Sequence, residues 1–158
     1  IREAQADGLR TIPNCGMVVS MDCGDEFCIH PAKKKPIGDR LAYLALEKTY
    51  GLKGIESSAP TYESMEIKGN KAIVKFKVGE KGIGPKGHEL EGFEIAGEDR
   101  VFYKAEAKTG VSGDVVEVSS PNVSNPVAVR YAFRNCAPIS VYNTYGIPAS
   151  PFRTDNWD

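Results

Sequence analysis

The pattern of apolar residues changes near residue 51, and this change limits the fold to an α/β part followed by an all-β part. Before that point, apolar residues recur at helical spacing in residues 1–12 and again in residues 36–50. Between these two segments, the apolar run of residues 17–21 predicts a buried parallel strand. After it, apolar and polar residues alternate in short segments, which is typical of half-buried strands.

The all-β part consists of short predicted strands separated by turn-forming residues. The predicted strands are residues 61–68, 72–78, 90–96, 101–107, 115–119 and 127–133. Gly69 and Asn70 are candidates for a hairpin turn, and the glycine-rich residues 79–87 predict a loop. Six or seven such strands predict a small β-sandwich over residues 52–134. The tail, residues 135–158, is too apolar for a disordered end and is predicted to pack back on the body.

Composition argues against two kinds of partner. The 20 basic and 21 acidic residues nearly balance at a net charge of −1, so there is no electrostatic case for nucleic acid. The longest apolar runs are far shorter than the roughly 20 residues that span a membrane. The chain starts without Met and inside a helical pattern, so we expect it to be a piece of a longer polypeptide.

The segment after the predicted strand at residues 17–21 concentrates reactive side chains. It carries the carboxylates Asp22 and Asp25, two thiols and His30. In an open α/β sheet, the carboxyl ends of the strands are where ligands bind. A neutral imidazole accepts a proton near neutral pH, and a carboxylate can orient it. From the residues alone, His30 is either a general base or a loop histidine that caps local backbone.

The cysteines leave three possibilities open. Cys23 and Cys28 could form a disulfide, which would close a short loop and contribute about 2 kcal/mol, or they could remain free thiols. Zinc bound by these two cysteines and His30 is the third possibility, but the spacing differs from that of usual zinc sites. We expect free thiols or a disulfide, and no metal.

Several short motifs follow one another in a set order along the chain. They are Asp22-Cys-Gly-Asp25, Ile29-His-Pro31, Lys33-Lys34-Lys35 and Gly38-Asp-Arg-Leu-Ala42. In this order they resemble the sialate O-acetylesterases, which are carbohydrate esterases of the SGNH-hydrolase type. The resemblance runs nearly end to end, from residue 2 to residue 157.

The resemblance implies a fold and an activity. Residues 1–51 would be the closing strand and helices of a flavodoxin-like SGNH hydrolase domain, residues 52–134 the β-sandwich, and residues 135–158 a returning tail. The activity would be hydrolysis of O-acetyl esters on sialic acid or a related sugar, with no metal or organic cofactor. Relatives act in periplasmic, secreted or lysosomal settings, so we expect a periplasmic or secreted protein, lysosomal if eukaryotic.

The resemblance also implies site residues. His30 would act first as base and then as acid, and Asp25 would orient it, with Asp22 as the rival. Many SGNH hydrolases carry the acid three residues before the histidine, where this chain has Phe27. The identity of the acid therefore stays open, and a backbone carbonyl could take its place.

The nucleophile and the oxyanion donors do not occur in this chain. Family members carry the serine in a Gly-Asp-Ser motif, which is absent here, and Gly110-Val-Ser112 only superficially resembles a nucleophile elbow. The resemblance implies that an N-terminal part of the same enzyme supplies them, and that the fragment alone is inactive. The alternative is a non-catalytic carbohydrate-binding or structural β-sandwich module.

Three further features have weaker functional interpretations. The basic run at residues 33–35 could attract an acidic sugar or could be a solvated face, and His88 is expected to be a solvated loop residue. Asn143 and Arg153 in the tail could reach the sugar, or the tail could be only a seam between domains. Asn122 begins a glycosylation motif of a kind that arises often by chance.

Overall fold

The structure is a computed structural model that describes residues 1–84 and 88–157. Its helical elements are α1 (Arg2–Thr11), a single turn of 3₁₀ helix (Met21–Cys23) and α2 (Lys35–Lys48). Its strands are β1 (Thr61–Lys68), β2 (Lys71–Lys77), β3 (Ile83–Gly84), β4 (Glu89–Leu90), β5 (Phe93–Ala96), β6 (Phe102–Lys104), β7 (Glu106–Thr109), β8 (Val115–Ser119), β9 (Ala128–Tyr131), β10 (Tyr142–Asn143) and β11 (Phe152–Arg153). The described chain is thus mostly β-sheet with two α-helices.

Both predicted α-helices are present. Helix α1 has Glu3 in its first turn and Arg10 in its last, each at the end where its charge interacts favourably with the helix dipole. Helix α2 has Pro36 in its first turn, where the missing N–H costs nothing. It ends shortly before Gly51, whose φ of 67° lies in the left-handed region.

The predicted strand at residues 17–21 is wrong. Residues 17–20 pair with no other strand in the described part of the chain, and Met21–Cys23 forms 3₁₀ helix instead. A strand exists only where a neighbouring strand takes up its backbone hydrogen bonds. The apolar run has no such neighbour among the described residues, so its composition alone does not produce a strand.

The strands form two larger antiparallel sheets and one small one. The five-stranded sheet has the order β1-β2-β8-β7-β4, and the four-stranded sheet has the order β11-β9-β5-β6. Strand β3 lies in the predicted loop at residues 79–87, of which residues 85–87 are outside the described part, and it pairs with β10 of the tail in a two-stranded ribbon. The predicted hairpin turn is confirmed, since Lys68 pairs with Lys71 across Gly69 and Asn70.

The inner faces of the two larger sheets share one hydrophobic core. Buried and exposed residues alternate along β2 and β8, as expected for strands with one covered face. Buried side chains from both sheets belong to a single cluster, which includes Val74, Phe76, Val116, Val118, Phe93, Ile95, Val129 and Tyr131. Each fully buried side chain of this kind contributes about 1.5–3 kcal/mol, so this cluster is the main source of stability.

Two predicted strands are each divided between the two sheets. Residues 90–96 split at Gly92, so that β4 joins one sheet and β5 the other. Gly92 has a φ of 86°, and a Cβ there would lie 2.4 Å from the Pro138 carbonyl oxygen. Residues 101–107 split at Ala105, whose N–H donates to the Phe93 carbonyl at 3.0 Å. At Ala105 the alternation of apolar and polar residues continues, which is why the sequence shows one strand there where the fold has two. At Gly92 the alternation shifts by one residue, since the buried Leu90 and Phe93 are three positions apart.

The tail contributes to the core. Val141, Ile147 and Ala149 are buried, and β11 extends the four-stranded sheet by pairing with β9. The Tyr131 hydroxyl accepts hydrogen bonds from the backbone N–H groups of Ser140 at 3.1 Å and Val141 at 3.0 Å. Residues 135–157 therefore belong to the same packed body as the sheets.

Candidate active-site loop

Arg40 of helix α2 organises the segment that leads into the candidate loop. Its side chain is only 7% exposed. It donates to the Val19 carbonyl at 2.8 Å and to both carboxylate oxygens of Asp22 at 2.7 and 2.6 Å. It also reaches the Gly146 carbonyl of the tail at 3.3 Å. One guanidinium therefore joins the start of the loop, helix α2 and the tail.

The charges in this cluster stabilise one another. Burial disfavours the ionised form of Asp22, but the hydrogen bond and positive charge of Arg40 outweigh it and lower the pKa of Asp22. The same hydrogen bond raises the pKa of Arg40. Burial, together with the nearby Asp22 charge, raises the pKa of the Cys23 thiol. The cluster thus holds a stable ion pair and a protonated thiol at neutral pH.

In the described part of the chain, the hydrogen bonds of the loop that follows are local. Asp25 Oδ1 accepts a hydrogen bond from the Phe27 N–H at 2.9 Å, a turn typical of aspartate. The His30 N–H donates to Cys28 Sγ at 3.4 Å. Residues 24–30 are all exposed. The loop therefore extends from the Arg40 cluster into solvent.

His30, Asp25 and Asp22 lie on one segment of the structure, but neither carboxylate is paired with the imidazole in the described residues. Within the described residues, the His30 imidazole makes no side-chain hydrogen bond to either carboxylate. Asp22 forms an ion pair with Arg40, whereas Asp25 accepts a hydrogen bond from the backbone N–H of Phe27. This difference favours Asp25 over Asp22 as the carboxylate able to turn toward an imidazole.

The first third of the chain exposes an unusual amount of apolar surface. In the loop itself, the side chains of Phe27 and Ile29 are 93% and 90% exposed. Most other large apolar side chains that lie exposed in the described residues belong to the same part of the chain: Ile1, Leu9, Ile12, Leu41, Tyr43, Tyr50 and Leu52. Val19 and Cys23 are its only buried apolar residues. Surface of this kind is typical of sites that contact another polypeptide, a membrane or a ligand.

An open groove of about 1000 Å³ lies between the helices and the start of the five-stranded sheet. Its walls include Leu9, Met17, Leu41, Leu44 and Thr61. None of the loop residues 22–30 lines it, so this groove and the candidate loop are different places. The groove is lined by apolar residues of α2 together with polar residues of α2 and of the segments around β1 and β2, and no histidine of the described chain lines it. The candidate acid–base chemistry, which needs an imidazole, therefore belongs to the loop.

Glu47 sits at the polar edge of this groove. It makes an ion pair with Lys48, and its Oε2 accepts a hydrogen bond from the Ser57 N–H at 2.8 Å. The hydrogen bonds from Lys48 and Ser57 lower the pKa of Glu47 to about 2. These contacts tie the end of α2 to the segment that leads into β1, which is a structural role.

The tail residues considered as sugar ligands make internal contacts instead. Asn143 is 3% exposed, and its Oδ1 accepts hydrogen bonds from the N–H groups of Tyr145 at 3.0 Å and Ile147 at 2.9 Å. Its Nδ2 donates to the Ser58 carbonyl at 3.1 Å. Arg153 donates to Glu3 at 2.7 Å and to the Trp157 carbonyl at 2.7 Å. These contacts are those of a seam between the tail and the body.

The remaining candidates lie on the surface. Lys33 and Lys34 are exposed, and Lys35 pairs with Asp39 one helical turn away at 2.6 Å. His88 and Asn122 are exposed as well. Ser112 is exposed in the turn between β7 and β8, away from any strand-to-helix bend. None of these residues joins the loop in the contacts described above.

The described residues show no preformed metal site. No group of three or more His, Cys, Asp or Glu side chains comes together in residues 1–84 and 88–157. Cys15, Cys23, Cys28 and Cys136 are all free thiols. No helix in the described part of the chain is both long and apolar enough to cross a membrane.

Arg40 is the residue whose importance the sequence analysis missed. A signal for it exists, because Arg40 lies on the same face of α2 as the apolar residues Ile37, Leu41 and Leu44. A charged residue on a face that packs is usually paired. That argument could have pointed to a carboxylate partner such as Asp22.

Comparison with known proteins relates the chain to the carbohydrate esterases. It is similar to the crystal structure of a carbohydrate acetylesterase, with a TM-score of 0.88 and 37% sequence identity. That enzyme is from Xanthomonas citri, and the match covers 98% of this chain but 35% of the enzyme. No protein-family model and no curated protein matches the chain. The chain thus spans about a third of the length of the solved enzyme to which it is similar.

Proposed function

We propose that this chain is the C-terminal part of a serine esterase of the SGNH type that removes O-acetyl groups from a carbohydrate. The observation that carries the proposal is the similarity over nearly the whole chain to a protein described as a carbohydrate acetylesterase. Sialic acid or a related sugar is the proposed substrate, on the basis of the sialate O-acetylesterase motifs around His30. The localisation we propose with it is periplasmic or secreted, lysosomal if the source is eukaryotic.

The proposed domain organisation follows the distribution of buried surface. Residues 1–51 would be the closing segment of a flavodoxin-like SGNH domain, because their apolar side chains remain exposed without the rest of such a domain. Residues 52–134 would be a β-sandwich, which is supported by the core shared between two antiparallel sheets. Residues 135–158 would be the tail that joins the two.

The same apolar surface supports a division of the active site between two parts of one enzyme. This chain would contribute His30, and the N-terminal part would contribute the serine nucleophile and the oxyanion donors. Phe27 and Ile29, which precede the histidine on its loop, would be covered when that part is in place. The carboxylate of Asp25 would then turn toward the imidazole.

The proposed reaction needs only acid–base and nucleophilic chemistry. One ring nitrogen of His30 takes the proton of the serine hydroxyl while the serine oxygen bonds to the acetyl carbonyl carbon. The bond from that carbon to the sugar oxygen then breaks, and the sugar oxygen leaves with the proton from His30. Water repeats the sequence on the acetyl-serine, which releases acetate and restores the serine hydroxyl. Asp25 accepts a hydrogen bond from the other ring nitrogen and so keeps the imidazole in the required tautomer.

Single substitutions in the complete polypeptide test this proposal. The measurement is kcat/KM for release of acetate from O-acetylated sialic acid and from other acetylated sugars. His30→Ala should lower it by about 10³-fold or more, and Asp25→Asn by about 10²-fold or more, as expected for members of a catalytic triad. The matched control is His88→Ala, which removes the other, exposed histidine and should change the rate less than twofold.

Two results would contradict parts of the proposal. Full activity of the His30→Ala variant would remove the catalytic role of this chain and leave the carbohydrate-binding or structural module as the better account. If neither Asp25→Asn nor Asp22→Asn loses more than a few-fold, both carboxylates are excluded. A backbone carbonyl would then be the group that orients the histidine.

A further inference from the structure

We propose that Arg40 is a positioning residue for His30: it fastens the two ends of the loop that carries the histidine and holds both against the tail. This inference rests on the proposed function, because it assumes that the place of His30 matters for a reaction. It assigns to a buried arginine a role in the rate of the chemical step and not only in folding.

The contacts of Arg40 lie at both ends of the loop. The loop leaves the body at Asp22 and Cys23 and returns to it at the start of helix α2. Arg40 belongs to α2, and it holds the departing end through both oxygens of Asp22. A bidentate pair of this kind fixes direction as well as distance. It therefore acts as a non-covalent staple across the base of the loop.

The third contact connects the staple to a rigid part of the tail. The Gly146 carbonyl that accepts from Arg40 belongs to the turn 143–147, in which the Asn143 side chain binds the N–H groups of Tyr145 and Ile147. The Gly146 N–H also donates to the Asn143 carbonyl at 3.1 Å. The buried Asn143 amide thus shapes the turn that receives Arg40. This turn therefore fixes the position of the loop base relative to the β-sheets.

The loop has few other means of keeping its position. Residues 24–30 are exposed, and the contacts of Asp25 and Cys28 stay within the loop. Where the loop leaves the body consequently decides where His30 stands. Displacement of a catalytic group by about 1 Å can cost about 10²-fold in rate. Loosening the staple should therefore lower kcat and leave substrate affinity almost unchanged.

The structure offers a matched control for Arg40. Arg130 and Asp155 form a second bidentate pair, with distances of 2.9 and 2.7 Å, and the Asp155 side chain is 1% exposed. This pair joins β9 to the end of the tail. Arg40→Lys and Arg130→Lys each keep a positive charge and remove the bidentate geometry. Both should lower the melting temperature, but only Arg40→Lys should affect catalysis.

The test measures kcat, KM and melting temperature for both variants in the complete esterase, at a temperature where each is folded. The expected result for Arg40→Lys is a fall in kcat of at least tenfold, with KM within twofold. For Arg130→Lys, both constants should stay within twofold. Equal effects of the two variants on kcat, or a kcat of Arg40→Lys within twofold of wild type, would overturn the inference.

A second pair of variants decides the matter if Arg40→Lys does not fold. Gly146→Ala strains the residue whose carbonyl Arg40 binds, since Gly146 has a φ of 77° with no atom within 4 Å of an added Cβ. Gly69→Ala imposes the same kind of strain in the β1–β2 turn, with a φ of 61° and equal space. The inference expects kcat to fall at least threefold in Gly146→Ala only. No difference between the two would refute it.

The two proposals fail in distinguishable ways. If His30→Ala keeps full activity, the proposed function itself is wrong, whatever the arginine does. If His30→Ala is inactive but Arg40→Lys and Gly146→Ala keep the wild-type kcat, only the positioning role is wrong.

Discussion

Removal of a single oxygen atom, in Tyr131→Phe, should destabilise the fold far more than its size suggests. The Tyr131 side chain is fully buried, and its hydroxyl accepts hydrogen bonds from the N–H groups of Ser140 and Val141. The ring packs against Phe93 at a centroid distance of 4.7 Å, and phenylalanine preserves this contact. The substitution therefore removes the acceptor for two backbone donors and changes little else.

The magnitude follows from the burial of those donors. An N–H group that loses its partner inside a protein costs about 1–3 kcal/mol. Val141 is fully buried and Ser140 half-buried. The unpaired N–H of Val141 should therefore carry the full cost, and that of Ser140 a part of it. We expect Tyr131→Phe to lower the free energy of unfolding by about 2–4 kcal/mol. This is a large share of the roughly 5–15 kcal/mol that stabilises a typical domain.

Urea unfolding followed by Trp157 fluorescence measures this change, since Trp157 is the single tryptophan and packs near Phe102 at 5.7 Å. The control is Tyr62→Phe. The Tyr62 ring stacks on Phe152 at 4.9 Å, and its hydroxyl makes no hydrogen bond within the described residues. The control should change stability by less than about 0.5 kcal/mol. If Tyr131→Phe matches the control at an unchanged denaturant slope, the argument from unpaired donors is refuted.

Three further predictions concern single side chains. Glu47→Gln should lower the free energy of unfolding by about 1–3 kcal/mol at pH 7. Because the folded pKa of Glu47 is about 2, the carboxylate contributes its full stability above pH 4.5 and loses it as the pH falls toward 2. Stability measured against pH should therefore fall less in the variant than in the wild type over this range. Phe27→Ser and Ile29→Ser should each change the stability of the isolated chain by less than about 0.5 kcal/mol but lower the proposed esterase activity of the complete polypeptide, and urea unfolding and kinetics measure the two effects separately. Gly92→Ala should cost at least about 2 kcal/mol in urea unfolding, because an added Cβ would meet a tail carbonyl at 2.4 Å; an unchanged midpoint would contradict this.

Local patterns predicted the elements whose causes are local. The periodicity of α1 and α2, the proline at the start of α2 and the turn at Gly69 all act within a few residues. Each of these predictions agrees with the structure. The alternation of buried positions along β2 and β8 was equally visible, because it needs only one covered sheet face.

Features that depend on distant residues could not be predicted in this way. Whether residues 17–21 form a strand depends on a neighbouring strand, and nothing within the segment supplies one. The passage of the chain between sheets at Ala105 leaves the alternation intact, so it is invisible to a periodicity argument. Both errors come from interactions that are remote in sequence.

The candidate site shows the same division. The motif order placed Asp25 and His30 on one loop, and the structure agrees that they share it. The motif order could not predict whether the Asp25 carboxylate contacts the His30 imidazole, because that geometry depends on what covers the loop. The bond from Arg40 to Gly146 joins residues 106 positions apart, and no short motif reveals such a contact.

The uneven burial in this chain has a practical consequence for handling it. A net charge of −1 provides almost no electrostatic repulsion between copies, while the first third of the chain presents a broad apolar surface. Concentrated or salt-rich preparations of the isolated polypeptide should therefore precipitate readily. Co-expression with the proposed N-terminal part of the enzyme should keep it in solution.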